Sequence, residues 1–458
     1  MSRHTNQPRS DVVGGLIRNV VYPLWALKNG SVRLKYLAQL EQSQYWSREL
    51  IEANQLALFQ RVFSHAYESC PYYRRKFQLA GVAPADIRSL RDIDQVPVIT
   101  KDEIQENREL MVSTLVDRGS LIPDMTGGST GSPMQFYYDK DRQDSREAAA
   151  LRHDRWSGWN IGNRRAILWG APQDTKLQSD WKGRARERLL ERRIILDASS
   201  IDDKSMSSFL EELLRYQPAI IQAYANTLGL FARYVHSRGG TDLRPKAIIT
   251  SAEVLTHENR RLIEDVFSCR VYNRYGSREV SVIASECSEH QGMHINAENL
   301  LVEVLVDGRS TVDQDGEIVI TDLRNLAMPM IRYRIKDVGR IKREPCSCSR
   351  GLPLMELSGG RVTDFLTATN GSKVSGIVIA TYVITNLRGI RQIQFMQAKA
   401  GTVEVNLVRG PDCSEQTLKE LEQRLHRFLG TDMRVHVNFL TQIPMEKSGK
   451  YRFSISSL

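Results

Sequence analysis

Apolar positions along the chain change period several times, and the changes divide it. Between residues 31 and about 110 they recur at helical spacing, as in Leu56-Ala-Leu-Phe-Gln-Arg-Val-Phe63, with Pro71 and the region of Pro97 as breaks. From about residue 120 short apolar runs alternate with amphipathic stretches. Residues 166–169, 219–224 and 247–250 read as buried strands, and 205–217, 227–237 and 256–267 as helices. In the first of these helices Met206, Phe209, Leu210, Leu213 and Leu214 form one stripe, and Pro218 ends it. This rhythm predicts α/β layering, with strands flanked by helices. Residues 300–306 and 317–322 predict a later β-rich portion, joined through an Asp307-Gly308 turn and a loop around Asp315-Gly316. Composition breaks near Gly359-Gly360. Beyond it, 390–397, 403–408 and 435–439 read as strands, and a helix carries Leu418, Leu421, Leu425 and Phe428 on one face. That pattern predicts a small α+β unit of about 95 residues, a usual domain size. No internal repeat or low-complexity tract interrupts the chain.

The apolar stretch 12–27 is interrupted by Arg18 and Pro23 and is too short for a spanning helix. No small-residue cleavage site follows it, so a cytoplasmic protein is expected. Tyr22, Trp25, Arg18 and Lys28 leave peripheral membrane contact open beside packing on the main domain. A formal net charge of +9 over 458 residues favours anionic partners such as nucleotides, a phosphorylated carrier or an acidic membrane face. The densest basic run, 182–193, reads as a solvated helix face, with phosphate or membrane contact as the alternative. Aromatic interleaving, zinc-finger spacing and RNA-recognition signatures are missing from the sequence, which argues against nucleic acid. Six cysteines (Cys70, Cys269, Cys287, Cys346, Cys348 and Cys413) in a chain this long, without a secretion signal, do not suggest a disulfide framework.

Five short motifs carry candidate chemistry. Thr126-Gly-Gly-Ser-Thr-Gly-Ser-Pro133 offers backbone N–H groups and hydroxyls to phosphate oxygens, without the Gly-Lys-Ser/Thr ending of a P-loop. In Tyr272-Asn-Arg-Tyr-Gly-Ser-Arg-Glu279 a Tyr ring could cover a flat base and Glu279 could ligate Mg²⁺ through oxygen. Met328-Pro-Met-Ile-Arg-Tyr-Arg-Ile-Lys-Asp337 closes on a carboxylate suited to two ribose hydroxyls. Gly359-Gly-Arg-Val-Thr-Asp364 puts a phosphate-reaching Arg361 beside a hinge position. Pro444-Met-Glu-Lys-Ser-Gly-Lys-Tyr-Arg452 presents Lys450 from a tight turn. Each motif, taken alone, equally describes a plain loop, turn or basic chain end.

Together and in this order, the motifs resemble those of the acyl-adenylate-forming superfamily, and within it the phenylacetate–CoA ligase family with its capsular-polysaccharide-associated branch. The resemblance runs from about residue 45 to the end and includes Ala66-Tyr-Glu-Ser-Cys-Pro-Tyr-Tyr73 and Thr250-Ser-Ala-Glu253. It implies an α/β fold, with a large multi-sheet N-terminal adenylate-forming domain and a small α+β C-terminal lid domain. The implied divisions are a helical segment, 1–110, packed on the large domain, an AMP-binding core, 111–363, and a mobile C-terminal domain, 364–458. It further implies that Thr126, Gly127, Gly128, Ser129, Thr130 and Gly131 form a phosphate loop. Tyr275 and Gly276 would lie at the adenine, bordered by Ser251, Ala252 and Glu253. Glu279 would bind Mg²⁺, Asp337 the ribose hydroxyls and Arg361 the ribose–phosphate side. Asp364 would be the hinge, and Lys450 would bridge carboxylate and α-phosphate. Arg278 stands where most members carry Thr or Ser toward the α-phosphate. That departure fits tighter phosphate binding or a loss of adenylation. The lysine that many relatives carry after the glycine loop is absent at Ser132 to Gln135, and Thr363 replaces a common Asp. The acid pocket is expected from 224–230 and around Ser251.

The implied activity joins a small carboxylic acid to AMP from ATP and passes the acyl group to CoA, with Mg as cofactor. The alternatives are an amine or hydroxyl acceptor in polysaccharide biosynthesis, or a non-catalytic nucleotide-binding protein. A homodimer stays open. Cys287, His294, Cys346 and Cys348 could complete a closed tetrahedral zinc site of structural type, with His290 a rival to His294 and free buried thiols the alternative.

Overall fold

Helix boundaries follow local chemistry. Ser47 caps α4 (Arg48–Ser69) by accepting from the Leu50 N–H, and Pro71 opens α5 (Pro71–Ala80) directly after it. Thr100 and Glu103 form a capping box on α6 (Lys101–Met111). Ahead of them lie α1 (Val12–Leu16), α2 (Tyr22–Lys28) and α3 (Arg33–Ser43). The structure, a computed structural model, describes residues 11–126, 134–169, 181–198, 202–359, 362–363, 365–384, 387, 389–443 and 452–458.

Two strands, β1 (Ile122–Met125) and β2 (Gln135–Tyr138), form an antiparallel ribbon. A twelve-stranded sheet then dominates. Its parallel part runs β4 (Arg193–Asp197), β3 (Arg165–Trp169), β5 (Ile220–Tyr224), β6 (Ala247–Ser251) and β7 (Arg270–Ser277). At β7 it turns antiparallel, through β8 (Ser281–Glu286), β9 (Met293–Ile295), β14 (Leu354–Gly359), β13 (Tyr333–Lys342), β12 (Gly316–Asp322), β10 (Leu300–Val306) and β11 (Arg309–Ser310). The strands expected at 166–169, 219–224, 247–250, 300–306 and 317–322 are thus present within a residue or two.

Period-two alternation sorts the parallel strands' side chains to two faces. Ile221, Ala223, Ile248 and Val271 pack under the helices Asp203–Tyr216, Ala225–Ser237 and His257–Phe267. Ile220, Ala247, Ile249 and Tyr272 pack on the other face with Ile17, Tyr22, Trp159 and Ile161. Phe59, Phe63, Tyr73 and Phe77 of α4 and α5 cover the antiparallel part. The C-terminal residues form their own core, from Leu366 to Phe453. There the helix Glu415–Leu429 packs with a five-stranded sheet in the order β15 (Val362–Thr363), β21 (Arg452–Ser456), β18 (Ile390–Lys399), β19 (Thr402–Arg409), β20 (Arg434–Phe439). β16 (Phe365–Thr367) and β17 (Lys373–Ser375) pair separately.

One helix departs from apolar patterning. α7 (Lys140–Trp156) is polar almost throughout, yet buries Arg142, Asp144, Arg152, His153 and Asp154. Arg142, Arg152 and Asp154 find partners on the sheet or its loops, whereas Asp144 accepts from Ser31, the Val32 N–H and Arg33 of the N-terminal segment. Arg142 Nε donates to Asp322 Oδ2 at 2.6 Å, and its Nη2 donates to the Val280 carbonyl at 3.1 Å. Arg152 Nη1 donates to Glu298 Oε1 at 2.6 Å, which also accepts from Ser43 Oγ at 2.7 Å. Asp154 accepts from Arg274 at 2.6 Å and also from Arg165. Burial pushes the Asp154 carboxyl up, but Arg165 and Arg274 outweigh it and hold it below the usual carboxylate range.

Removing one member of a buried pair strands the other. Arg142→Leu is therefore expected to cost about 3–5 kcal/mol, seen as a lower urea midpoint. Arg155→Ala breaks the partly exposed pair with Glu41 and a 3.3 Å hydrogen bond to Asn160 Oδ1, and should cost less than about 1 kcal/mol. Equal losses for the two variants would contradict the role given to Arg142.

Candidate functional site

The parallel strands deliver their last residues to one edge, where ligands of open α/β sheets bind. Trp169 and Tyr224, ending β3 and β5, stack with centroids 4.1 Å apart. Tyr224 pairs in register with Ser251 at the end of β6. Ser251 Oγ donates to the Arg274 carbonyl at 3.1 Å. Ala252 then turns with φ of +67°, and Glu253 Oε2 accepts from the Asn226 N–H at 2.6 Å, in the first turn of the helix Ala225–Ser237. That N–H has no intrahelical partner, so the carboxylate both satisfies it and fixes the Ser251–Glu253 turn. Within the expected acid-pocket stretch, Leu228 belongs to the core beneath the sheet, which leaves Tyr224 and the helix start beside Ser251.

The hairpin between β7 and β8 carries the next group. Its register shifts at Tyr275/Gly276, and a Cβ on Gly276 would lie 2.7 Å from the Ser281 carbonyl oxygen. Only glycine allows that approach. Tyr275 Oη donates to Asp337 Oδ2 at 2.8 Å. Asp337 lies on β13 just after Lys336, whose φ is +67°, beside a register shift against β12. Tyr333, on the same strand, donates from Oη to Glu279 Oε1 at 3.2 Å. Arg278 Nη1 stands 4.0 Å from Asp124 Oδ1 on β1, and Arg146 Nη1 stands 3.9 Å from Asp124 Oδ2. Arg146 Nη2 also donates to the Arg278 carbonyl at 2.8 Å. Two residues beyond Asp124, Thr126 bonds Met134 twice, N–H to carbonyl and Oγ1 to N–H, each at 2.9 Å. The start of the glycine motif and the Tyr275–Glu279 hairpin therefore meet at Asp124.

So Thr126, Tyr275, Gly276, Arg278, Glu279 and Asp337 are brought together, with the Ser251–Glu253 turn held between β7, through Ser251, and the helix start at Asn226, through Glu253. Gly127, Gly128, Ser129, Thr130, Gly131, Arg361, Asp364 and Lys450 lie outside the described residues. Sequence reasoning missed Asp124, Arg146 and Tyr333. Tyr333 had a readable signal, since it lies in the same motif as Asp337. Arg146 had none, because its partner carbonyl is 132 residues away.

A second cluster sits at the far end of β8. Cys287, His294, Cys346 and Cys348 place one ligand atom each within 4.8 Å of all the others. Cys287 follows β8, His294 lies on β9, and the other two come from the loop between β13 and β14. The Cys287 and Cys346 sulfurs are 3.7 Å apart, close to the edge of about 3.8 Å that a tetrahedron with Zn–S bonds near 2.3 Å requires. His294 Nδ1 lies 3.2 Å from the Leu352 carbonyl, which leaves Nε2 to face Cys348 Sγ at 3.2 Å. That backbone bond is the usual outer support of a metal-binding imidazole. Burial pushes the Cys287 thiol up to about 12, raises Cys346 and lowers His294 to about 4. Burial also opposes the Cys348 thiolate, but hydrogen bonds from Arg350, Cys346 and Cys287 together outweigh it and bring that thiol below its ordinary value. A neutral imidazole among three thiols is the donor set of a structural zinc. His290 pairs with Glu286 at 3.1 Å and is not among the four.

Known proteins resemble this chain in sequence and in fold. A family model described as "CapK C-terminal domain" matches residues 366–457. The chain is 26% identical to Protein CapK of Staphylococcus aureus over 414 residues, 87% of this chain and 88% of that one. It is 25% identical to the phenylacetate-coenzyme A ligase of Aromatoleum evansii over 418 residues, 87% of this chain and 92% of the ligase. Among solved structures, 2-hydroxyisobutyryl-CoA ligase in complex with 2-HIB-AMP and CoA aligns with a TM-score of 0.60 at 19% identity, over 88% of this chain and 89% of that one. That last likeness is one of fold. In sequence and fold, then, the chain is similar to acyl-adenylate-forming enzymes of the phenylacetate–CoA ligase and CapK kind, the resemblance its motifs imply.

Proposed function

We propose that this chain activates a carboxylic acid with ATP and transfers the acyl group to coenzyme A. The observation that carries the reading is the pairing of Tyr275 with Asp337 and of Tyr333 with Glu279, beside the Asp124–Arg278 contact at the strand ends. This sets two tyrosine rings, three carboxylates and a guanidinium around one edge, groups from which a nucleotide site can be built.

In the proposed reaction a carboxylate oxygen attacks the α-phosphorus, an acyl-adenylate forms and pyrophosphate leaves. The thiol sulfur of CoA then attacks the acyl carbon and AMP leaves. Catalysis is mainly positioning and charge stabilisation. Tyr275 and Gly276 would border the adenine with Ser251, Ala252 and Glu253. Asp337, already oriented by the Tyr275 hydroxyl, would accept from the ribose hydroxyls. Glu279 would hold Mg²⁺, which supplies charge neutralisation at the phosphates when bound. Arg278, next to Asp124, would put a second cation toward the α-phosphate. Residues 126–131 would be the phosphate loop, Arg361 would contact the ribose–phosphate side, and Lys450 would bridge carboxylate and α-phosphate. Rotation of the C-terminal unit about Asp364 would exchange the adenylation and transfer arrangements. The Cys287, His294, Cys346 and Cys348 cluster would hold a structural zinc.

Lys450→Ala should lower acid-dependent pyrophosphate exchange by about a hundredfold or more while the melting curve stays unchanged. Full exchange in that variant would sink the assignment. Tyr275→Phe removes one hydrogen bond from Asp337 and should raise KM for ATP by up to about tenfold, with a small change in stability. An unaltered KM would show that the pair does not orient the nucleotide site. Incubation with ATP, CoA and a panel of acids tests the acceptor: thioester supports CoA, whereas amide or ester formed only with an amine or hydroxyl replaces it. Protein purified without chelator should carry about one zinc per chain by elemental analysis, and Cys346→Ser should lose it. A zinc-free wild type would remove the metal.

A further inference from the structure

The N-terminal helices present an apolar face that the body of the protein does not cover. Val12, Val13, Leu16, Val20, Leu24 and Leu27 keep between 45% and 77% of their surface exposed. Val13, Leu16, Val20, Leu24 and Leu27 are spaced by three and four, so they share one side of the helical run. The other side is anchored, since Ile17, Tyr22 and Ala26 are buried and the first two pack with Trp159, Ile161 and Ile249. The outward face is therefore a built feature of an anchored helix.

Charge frames this face on one sign. Among residues 11–40 the basic residues are Arg18, Lys28, Arg33 and Lys35 and the single acidic one is Asp11; Lys28 and Lys35 are exposed, whereas Arg33 is paired with Asp144 and Glu147. The basic helix Trp181–Leu189 lies alongside, with Arg186 over the Trp25 ring at 4.8 Å. Arg188 is exposed on it, and Leu189 adds a further apolar side chain that is 72% exposed. The nearby acids are already paired: Asp11 with Arg192 at 2.6 Å, and Glu191 with Arg186 at 2.8 Å and Arg193 at 3.0 Å. Lys28 and Arg188 remain as exposed cations beside exposed leucines. No described helix is long and apolar enough to cross a membrane.

We propose that this face lies in the headgroup region of an anionic lipid bilayer and docks the protein on a membrane surface. An anchored amphipathic helix with a leucine-rich side and basic flanks is built for that depth and that charge. A second copy of the chain is the weaker occupant, because a twofold contact would bring the two basic rims against each other. The inference is independent of the proposed ligase activity, since none of these residues belongs to the nucleotide site.

Flotation of the full chain with vesicles tests it. The protein should rise with vesicles of equal phosphatidylglycerol and phosphatidylcholine, far less with phosphatidylcholine alone, and less at high salt. The combined Leu16→Ser, Leu24→Ser, Leu27→Ser variant should bind anionic vesicles about tenfold or more weakly. Lys28→Glu with Arg188→Glu should weaken anionic binding in the same direction. All five side chains are exposed, so melting curves should match the wild type and confirm that loss of binding is not loss of fold. The proposal is overturned if the wild type ignores anionic vesicles, or if the serine variant floats as well as the wild type. It is equally overturned if that variant only converts a dimer to a monomer in light scattering, which would assign the face to a second copy.

Discussion

The guanidinium of Arg142 holds together the parts on which the candidate site depends. It is buried, it pairs with Asp322 on β12, and it donates to the Val280 carbonyl immediately after the Tyr275–Glu279 hairpin. One turn along the same helix, Arg146 donates to the Arg278 carbonyl. The hairpin is thus suspended from α7 by two arginines bonding its backbone. Desolvating such charges is costly, and an apolar helix could have covered the sheet at less expense. An apolar contact, however, does not specify which carbonyl it must meet, whereas a fork of N–H donors does. The polar seam gives position, and position is what a site made from residues of several strands requires.

The site also concentrates backbone strain. Ala252, Ser281 and Lys336 all take left-handed φ values, and all three adjoin residues of the candidate site. Such conformations persist only where surrounding structure over-determines them. Here the restraints are visible: Glu253 on the helix start, the close approach at Gly276, and the register shift beside Asp337. β8 links this edge to the cysteine–histidine cluster, with Glu279 just before the strand and Cys287 just after it. A metal there would tie the β8–β9 turn to the loop between β13 and β14, the strand of Asp337.

Much of the fold was legible in the sequence because its strands and helices obey simple periods. The strands at 220–224 and 247–251 are short apolar runs because both faces of a parallel sheet are covered. The strand Thr402–Arg409 and the helix Glu415–Leu429 were readable for a different reason, each having one buried and one wet face. Tyr275, Glu279 and Asp337 were legible as motif residues, and the structure brings them to one place. α7 was not among the elements read from the sequence, because a helix this polar carries no apolar stripe and the partners of its buried charges lie far along the chain. The basic run 182–193, expected as one solvated helix face, instead divides into a helix with a buried Glu187 and the strand β4.

The amino-acid order alone determined the alternation of elements, the motif residues of the candidate site and the three cysteines of the cysteine–histidine cluster, since periodicity and donor chemistry are local properties. The tertiary structure alone decided that His294 rather than His290 joins the cysteines, that Asp124 lies between Arg146 and Arg278, and that one side of the N-terminal helices faces outward. Those outcomes depend on which groups meet across tens of residues or, for Asp124 and Arg278, more than a hundred, and a sequence pattern holds no distance between them.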